Sequence, residues 1–226
     1  MLLFVNEACL WYNKIMNLEK IICYEDEYLL ILDKPAGVLV HPTVQERGET
    51  LYDWVGKYYA KKNIVASVHP VSRLDRFTSG LVIFAKEGIV QGWFDKSKVE
   101  KEYLAITERM PKNLQGIIDA PIARKEGSII ERCVNESGKR AITEYEVIKA
   151  GEKPLLKLKL LTGRTHQIRV HLAYIGCPVV GDGLYGEKGT QGRHLLHAAR
   201  LKFFHPVGDQ LIEITRMLPE DMRKYL

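Results

Sequence analysis

Leu81-Val82-Ile83-Phe84-Ala85 is a continuous apolar run closed by Gly80 and Lys86. It is too short for a helix, and its β-branched content predicts a buried strand. Ile21-Ile22-Cys23-Tyr24 and Tyr28-Leu29-Leu30-Ile31-Leu32 predict two more strands around the acidic turn Glu25-Asp26-Glu27, and Lys34-Pro35-Ala36-Gly37 then breaks into a loop. Thr50 opens a helix through about Lys61, with Asp53 as its capping-box partner and Leu51, Val55 and Tyr58 as the apolar stripe. A helix is expected over about Ile89–Val99 and a strand over Tyr103–Thr107. Leu156, Leu158 and Leu160 alternate with Lys157 and Lys159, the pattern of a strand with one wet face. Thr162-Gly163-Arg164 turns the chain into a helix expected from about Thr165 to Ile175, stopped by Gly176 and Pro178. Strands interrupted by short helices, without regular βαβ alternation, predict an α+β fold with a mainly antiparallel sheet.

No linker, repeat or low-complexity stretch divides the chain, which predicts one continuous domain. At 46% hydrophobic and 27% charged residues, the 226-residue chain excludes a disordered or fibrous protein. No apolar run reaches the roughly 18 residues of a membrane span. The apolar opening Met1–Val5 lacks a basic flank and meets Glu7, unlike a signal peptide, so the cytoplasm is the expected compartment. Met16 would serve equally well as a start, so residues 1–17 are read as a dispensable extension and 18–226 as the one folded domain. The four cysteines (Cys9, Cys23, Cys133, Cys177) form no C-x-x-C pair and predict neither a metal site nor a disulfide framework. The net charge is +5; acidic and basic residues balance over 1–113, so the whole excess lies in 114–226. That asymmetry hints at a polyanionic partner.

The densest polar cluster is His69–Gly80, in which Asp75 lies between Arg73 and Arg76 ahead of the apolar strand. Flanking cations favour an ionised Asp75, available as a nucleophile or base. From spacing alone, an ion pair that merely pins the loop is the more economical reading. The second cluster runs from Gly163 to Leu172. On a helix His166 and Arg169 would share a face, with Ile168, Leu172 and Ile175 buried, and polar donors at a helix start suit phosphate. A solvated basic face is an equal alternative, and His166 and His171 lack the i, i+4 spacing of a helical metal site. Tyr103 reads by pattern as a core aromatic, and Gly181–Gly186 reads as a glycine-permitted turn rather than a phosphate loop.

Seven segments in order are similar to the RluA-type family of RNA pseudouridine synthases. They are Asp33–Pro42, Arg73–Asp75 with Thr78–Gly80, Lys101–Ala105, Gly138–Ala141 with Thr143–Tyr145, Leu161–His171, Gly181–Gly186, and Leu195–Ala198. They span roughly residues 20–218. The resemblance implies a mixed, mainly antiparallel sheet with flanking helices and a central RNA-binding cleft. It makes Asp75 the essential aspartate, Tyr103 the tyrosine that packs against the target base, and Arg169 the arginine that ion-pairs with that aspartate. Arg73 is similar to the arginine that helps hold RNA with the base extruded; Arg76, Arg164 and His166 are expected RNA contacts. Many members carry His where this chain has Ser72, which predicts altered loop contacts rather than lost activity. Some relatives carry an S4-like RNA-binding domain; with only about twenty residues before the core, this chain is expected to grip RNA with the catalytic domain alone.

The implied reaction breaks the N1–C1′ bond of a uridine, turns the uracil and rejoins it through C5. A stacked base must first be flipped out, at a few kcal/mol. Stacking on Tyr103 could return roughly 1–3 kcal/mol of that. Asp75 could add to C6, attack C1′ or abstract the C2′ proton, and the sequence leaves all three open. The resemblance implies no cofactor and no metal, and a monomer whose partner is large-subunit ribosomal RNA or transfer RNA. A non-catalytic RNA-binding module is the alternative. A hydrolase ranks last, because glycosidase chemistry would want a second carboxylate.

Overall fold

A computed structural model describes residues 18–42, 48–95, 98–187 and 192–226; the extension 1–17 lies outside the described residues. The fold is mixed α+β with mostly antiparallel pairing, as the strand pattern predicts. The described chain forms two compact units. One takes the residues up to Arg76 together with Leu81–Phe94; the other takes Phe77–Gly80 and Asp95–Leu226.

The first unit contains α1 (Leu18–Ile21), β1 (Ile22–Glu25), β2 (Leu29–Lys34), α2 (Leu51–Lys61), β3 (His69–Pro70), most of β4 (Ser79–Ala85) and α3 (Gly88–Trp93). β1 and β2 are antiparallel, and the Asp26 carboxylate closes their turn by accepting from the amides of Tyr28 and Leu29 at 2.8 and 2.7 Å. α2 starts where the sequence places it. The Asp53 amide donates to the Thr50 hydroxyl and the Asp53 carboxylate accepts from the Thr50 amide, so both halves of the capping box form. Leu51, Trp54, Val55, Tyr58 and Tyr59 bury one face of this helix against Leu30, Leu32, Val82 and Phe84. Every residue of β4 is buried, which explains a run with no polar position in five. α3 corrects the expectation of a helix to Val99. It stops at Trp93, where Phe94 turns extended, because Gly88 and Gly92 lower helix propensity and Glu87 supplies no side-chain cap.

The second unit contains the start of β4, then β5 (Glu100–Ile106), β6 (Gln115–Asp119), β7 (Ile122–Arg124), β8 (Arg132–Val134), β9 (Ile142–Lys149), β10 (Leu155–Leu160), α4 (Gln167–Tyr174), β11 (Leu196–Phe204), β12 (Leu211–Thr215) and α5 (Glu220–Arg223). Its sheet runs β12, β11, β5, β10, β9, β6 with antiparallel neighbours, and β7 pairs with β8 as a separate hairpin. β5 begins three residues before its expected start. The wet face is charged and self-paired, with Lys157 on Glu146, Lys159 on Glu100, and Arg200 on both Glu102 and Glu213. β4 enters beside β11 in parallel, Ser79 opposite His197 and Gly80 opposite Ala198. A Cβ on Gly80 would lie 2.2 Å from the Ala198 carbonyl oxygen, and its φ is +108°, so this crossing requires glycine.

A polar network buried inside the second unit holds α4 on β9. The Gln167 amide donates to the Ile142 carbonyl and the Thr143 hydroxyl, while its oxygen accepts from the Thr162 hydroxyl and the Arg164 amide. His171 completes it with Nδ1 2.8 Å from the Thr143 hydroxyl and Nε2 2.9 Å from the Ala120 carbonyl oxygen. The carbonyl requires an Nε2–H, so Nδ1 accepts from Thr143 and the ring is neutral. Burial pushes its pKa below the ordinary histidine value, against the smaller opposing effect of the Ala120 carbonyl. The unfolded chain therefore takes up the proton first, and stability falls as pH drops below about 6.5. In urea unfolding at pH 7.5 and 5.5, His171→Gln will show a smaller acid loss than wild type. Equal losses in the two proteins would remove His171 as the source.

Candidate active site

The loop carrying Asp75 is fastened at several points, all within the first unit. Lys34, at the end of β2, is fully buried, and its ammonium donates to the carbonyl oxygens of Pro35, Val38 and Arg76 at 3.0, 2.8 and 2.9 Å. An ammonium has three protons, and three carbonyls at these distances satisfy them, which makes the burial of this charge tolerable. The Gly37 amide donates to the Arg76 carbonyl at 2.9 Å, and Arg76 Nε returns a bond to the Gly37 carbonyl at 3.1 Å. The loop segment 34–38 and the segment after Asp75 are thus stapled together.

On the other side of Asp75, Ser72 is buried and its hydroxyl accepts from the Ile83 amide at 3.1 Å. Ser72, where the family pattern has His, is therefore a tie from the loop to β4. Between these anchors Arg73 and Arg76 are exposed and Asp75 is half-buried. Arg76 has its Nε committed to the loop.

Tyr103 lies in the middle of β5, 7% exposed, with Leu158 of β10 on one side and Ala198 of β11 on the other. Ala198 is also the neighbour of Gly80. Gly80, Ala198 and Tyr103 therefore form one row across three strands, spanning about 10 Å at the usual strand spacing. The chain that leaves Asp75 reaches this row within five residues. Its course is held by further bonds in the second unit. Arg193 Nη1 donates to the Phe77 carbonyl at 3.2 Å, Thr78 Oγ1 lies 2.8 Å from His194 Nε2, and Ser79 Oγ lies 3.0 Å from His197 Nδ1.

Arg169 lies in α4 and is 5% exposed, which rules out a solvated basic face at this position. Its Nε and Nη2 donate to the two carboxylate oxygens of Asp182, each at 2.7 Å. This bidentate geometry fixes the plane of the guanidinium. Burial pushes the Asp182 carboxyl upward, but the hydrogen bonds and charge of Arg169, the Leu184 amide and the nearby His194 outweigh it and hold the pKa below the usual carboxylate range. Asp182 Oδ1 also accepts from the amides of Leu184 and Tyr185 at 3.0 and 3.2 Å, so the segment read as a glycine turn is built around a carboxylate. Gly181 lets the chain make the turn at φ +75°, where a Cβ would meet the Arg193 carbonyl oxygen at 2.3 Å. Asp182 is the residue that pattern reading passed over; its signal is a lone carboxylate after the apolar pair Val179-Val180.

His166 corrects the helix start. Its φ is +56°, so it is the residue before α4, and α4 begins at Gln167 rather than Thr165. His166 and Arg169 do not share a helix face, yet they meet on a third residue. His166 Nδ1 is 2.7 Å from the Tyr185 hydroxyl, and the Arg169 guanidinium carbon lies 5.0 Å from the Tyr185 ring centre. Arg164 is exposed and donates through Nε to the Arg140 carbonyl at 2.9 Å, leaving its outer nitrogens at the surface beside Lys139 and Arg140, both exposed.

Among the described residues no group of three or more His, Cys, Asp and Glu side chains could hold a metal ion, and no helix is long and apolar enough to cross a membrane. A groove on the wet face of the second unit is lined by Glu102, Glu144, Glu146, Lys157 and Lys159 among others. Three carboxylates against two ammoniums make it a poor seat for a polyanion.

The family model for RNA pseudouridylate synthase matches residues 28–174. An uncharacterized RNA pseudouridine synthase of Bacillus subtilis, YjbO, is 37% identical over 91% of this chain and 75% of its own length. The ribosomal large subunit pseudouridine synthase D of Zymomonas mobilis is 34% identical over 94% of this chain and 73% of its own. The corresponding synthase C of Vibrio parahaemolyticus is 35% identical over 95% and 70%. Among solved structures, human RNA pseudouridylate synthase domain containing 4 shares the fold at a TM-score of 0.77 and 22% identity, over 96% of this chain and 95% of that one. The seven motifs, the α+β architecture and these matches agree: the chain belongs to the RluA-type family of RNA pseudouridine synthases, which are isomerases.

Proposed function

We propose that this protein converts a specific uridine of large-subunit ribosomal RNA to pseudouridine, with Asp75 as the reacting carboxylate. The reading rests on one geometric fact. The chain leaving a firmly anchored Asp75 loop packs Gly80 against Ala198, whose other neighbour is Tyr103. The family resemblance supplies the rest, with Asp75 as the carboxylate and Tyr103 as the aromatic ring that the reaction needs for a flipped uracil. Tyr103 packs against the extruded base and returns roughly 1–3 kcal/mol of the unstacking energy. Arg169, its guanidinium plane fixed by Asp182, is assigned the role that the family resemblance gives it, the cation of the reaction.

Asp75 then acts on the uridine at C6, at C1′ or on the C2′ proton. In each case the N1–C1′ bond breaks, C5 bonds to C1′ and loses its proton, and N1 gains one, so the product is an isomer and no cofactor is consumed. Arg73, Arg76, Arg164 and His166 are assigned to the RNA backbone, where charge gives affinity without sequence choice. Ribosomal RNA is preferred over transfer RNA as the substrate because relatives similar over most of this chain are named for the large ribosomal subunit.

Carbodiimide-blocked primer extension over ribosomal and transfer RNA, from cells with and without the gene, tests this. One uridine in large-subunit RNA should lose its pseudouridine stop and regain it with wild type but not with Asp75→Ala. A site that returns with Asp75→Ala overturns the assignment of Asp75. A change confined to transfer RNA overturns the substrate, and no change at any site overturns the activity.

A further inference from the structure

Tyr185 touches more of the site than any pattern in the sequence suggests. Its hydroxyl accepts from the Arg132 amide of β8 at 2.9 Å and lies 2.7 Å from His166 Nδ1. Its ring lies edge-on to the His166 ring at 5.6 Å, and the Arg169 guanidinium stands over its face. Its own amide is held by Asp182, the partner of Arg169. With the hydroxyl proton given to His166 and a lone pair given to Arg132, one phenol joins three elements: the β7–β8 hairpin, the start of α4 and the Arg169–Asp182 pair. Burial raises the pKa of this phenol, so it stays protonated and able to make both bonds.

The hairpin that Tyr185 holds has the character of a nucleic-acid contact. Arg124 and Lys125 are exposed, and the turn beyond them carries Ile129 and Ile130 at 67% and 54% exposure. Two adjacent exposed isoleucines between basic residues are unusual on a soluble surface and suit packing on an unstacked base step. Arg132 is half-buried, and its Nη1 caps the carbonyls of Ile129, Ile130 and Glu131, which stiffens the tip. Lys125 pairs with Glu131 across the hairpin. The tip is thus rigid in itself, and its root is tied to the site through Tyr185 and to the following chain through the bridge between Ile122 and Lys139.

We infer that Tyr185 is a positioning residue that couples the grip of the β7–β8 hairpin on RNA to the orientation of Arg169. The hydroxyl sets where the hairpin stands, and the ring packs on the face of the guanidinium whose plane Asp182 fixes. The inference rests on Arg169 and the hairpin both serving the RNA reaction proposed above. Its experiment also reads the hairpin directly, so that the two can fail separately.

Tyr185→Phe removes the two hydroxyl bonds and keeps the ring under Arg169. On a ribosomal RNA fragment that wild type modifies, it should raise KM by about tenfold, the effect of one to two lost hydrogen bonds, with kcat held within about twofold. Amide hydrogen exchange across 122–134 should quicken in Tyr185→Phe, while exchange in β9 and β10 stays as in wild type. Tyr185→Leu removes the ring as well and should add a loss of kcat. An unchanged KM in Tyr185→Phe overturns the coupling, and so does a fall in kcat alone. Faster exchange everywhere would mean general loosening and overturns it too. Should Tyr185→Leu fail to fold, Tyr185→Phe still decides the matter through KM and exchange. If wild type modifies no RNA, the proposed function has failed. In that case RNA affinity and hairpin exchange in Tyr185→Phe still decide the inference, unchanged values overturning it.

Discussion

Asp75→Asn will lower the rate of pseudouridine formation by at least about a thousandfold under single-turnover conditions, while the Kd for RNA changes by no more than about threefold. An amide matches the carboxylate in size but neither ionises nor acts as nucleophile or base. The anchors of the loop use the side chains of Lys34, Ser72 and Arg76 and backbone carbonyls. Neutralising Asp75 leaves those bonds in place and leaves the exposed arginines at 73 and 76 to meet phosphate. A variant that retains even a tenth of the wild-type rate would transfer the chemistry to another residue.

The second large effect is expected at the Arg169–Asp182 pair. Asp182→Ala leaves a guanidinium buried without its bidentate partner, which destabilises by about 3–5 kcal/mol, roughly 6–20 °C in Tm for a chain of this size. Replacing both partners, Arg169→Met with Asp182→Leu, removes the charges together and should recover much of that stability, because a matched apolar pair avoids the desolvation penalty. Activity should not return with it. Thermal melts and turnover on the same three proteins separate the two roles. A double variant that is both stable and active would reduce the pair to a structural tie.

Much of the scaffold was legible because its signals are local. The capping box at Thr50 and Asp53 needs only four residues, and the apolar run ahead of Lys86 announces a buried strand without knowledge of its neighbours. Boundaries failed where a single backbone angle decided them. The left-handed His166 delays α4 by two residues, and the glycines at 88 and 92 shorten α3, neither of which periodicity records. At the site, Asp75, Tyr103 and Arg169 were marked through family motifs rather than spacing. Asp182, Tyr185 and Lys34 gain their roles from partners far along the chain, Lys34 from a carbonyl 42 residues away. A pattern confined to one segment holds no record of such pairs.

The parallel entry of β4 beside β11 has a consequence for how the protein is made. Ser79 and His197, which meet there, are 118 residues apart in the chain. Contacts of such separation form late, since a long loop must close before they contribute. During synthesis at about 5–20 residues per second, the strand that follows the Asp75 loop waits roughly 6–24 s for β11 to be made. For that time a strand with five apolar residues in a row lacks one of its partners, an exposure that invites pairing elsewhere. The row that joins Gly80 to Tyr103 therefore cannot close before β11 has been made.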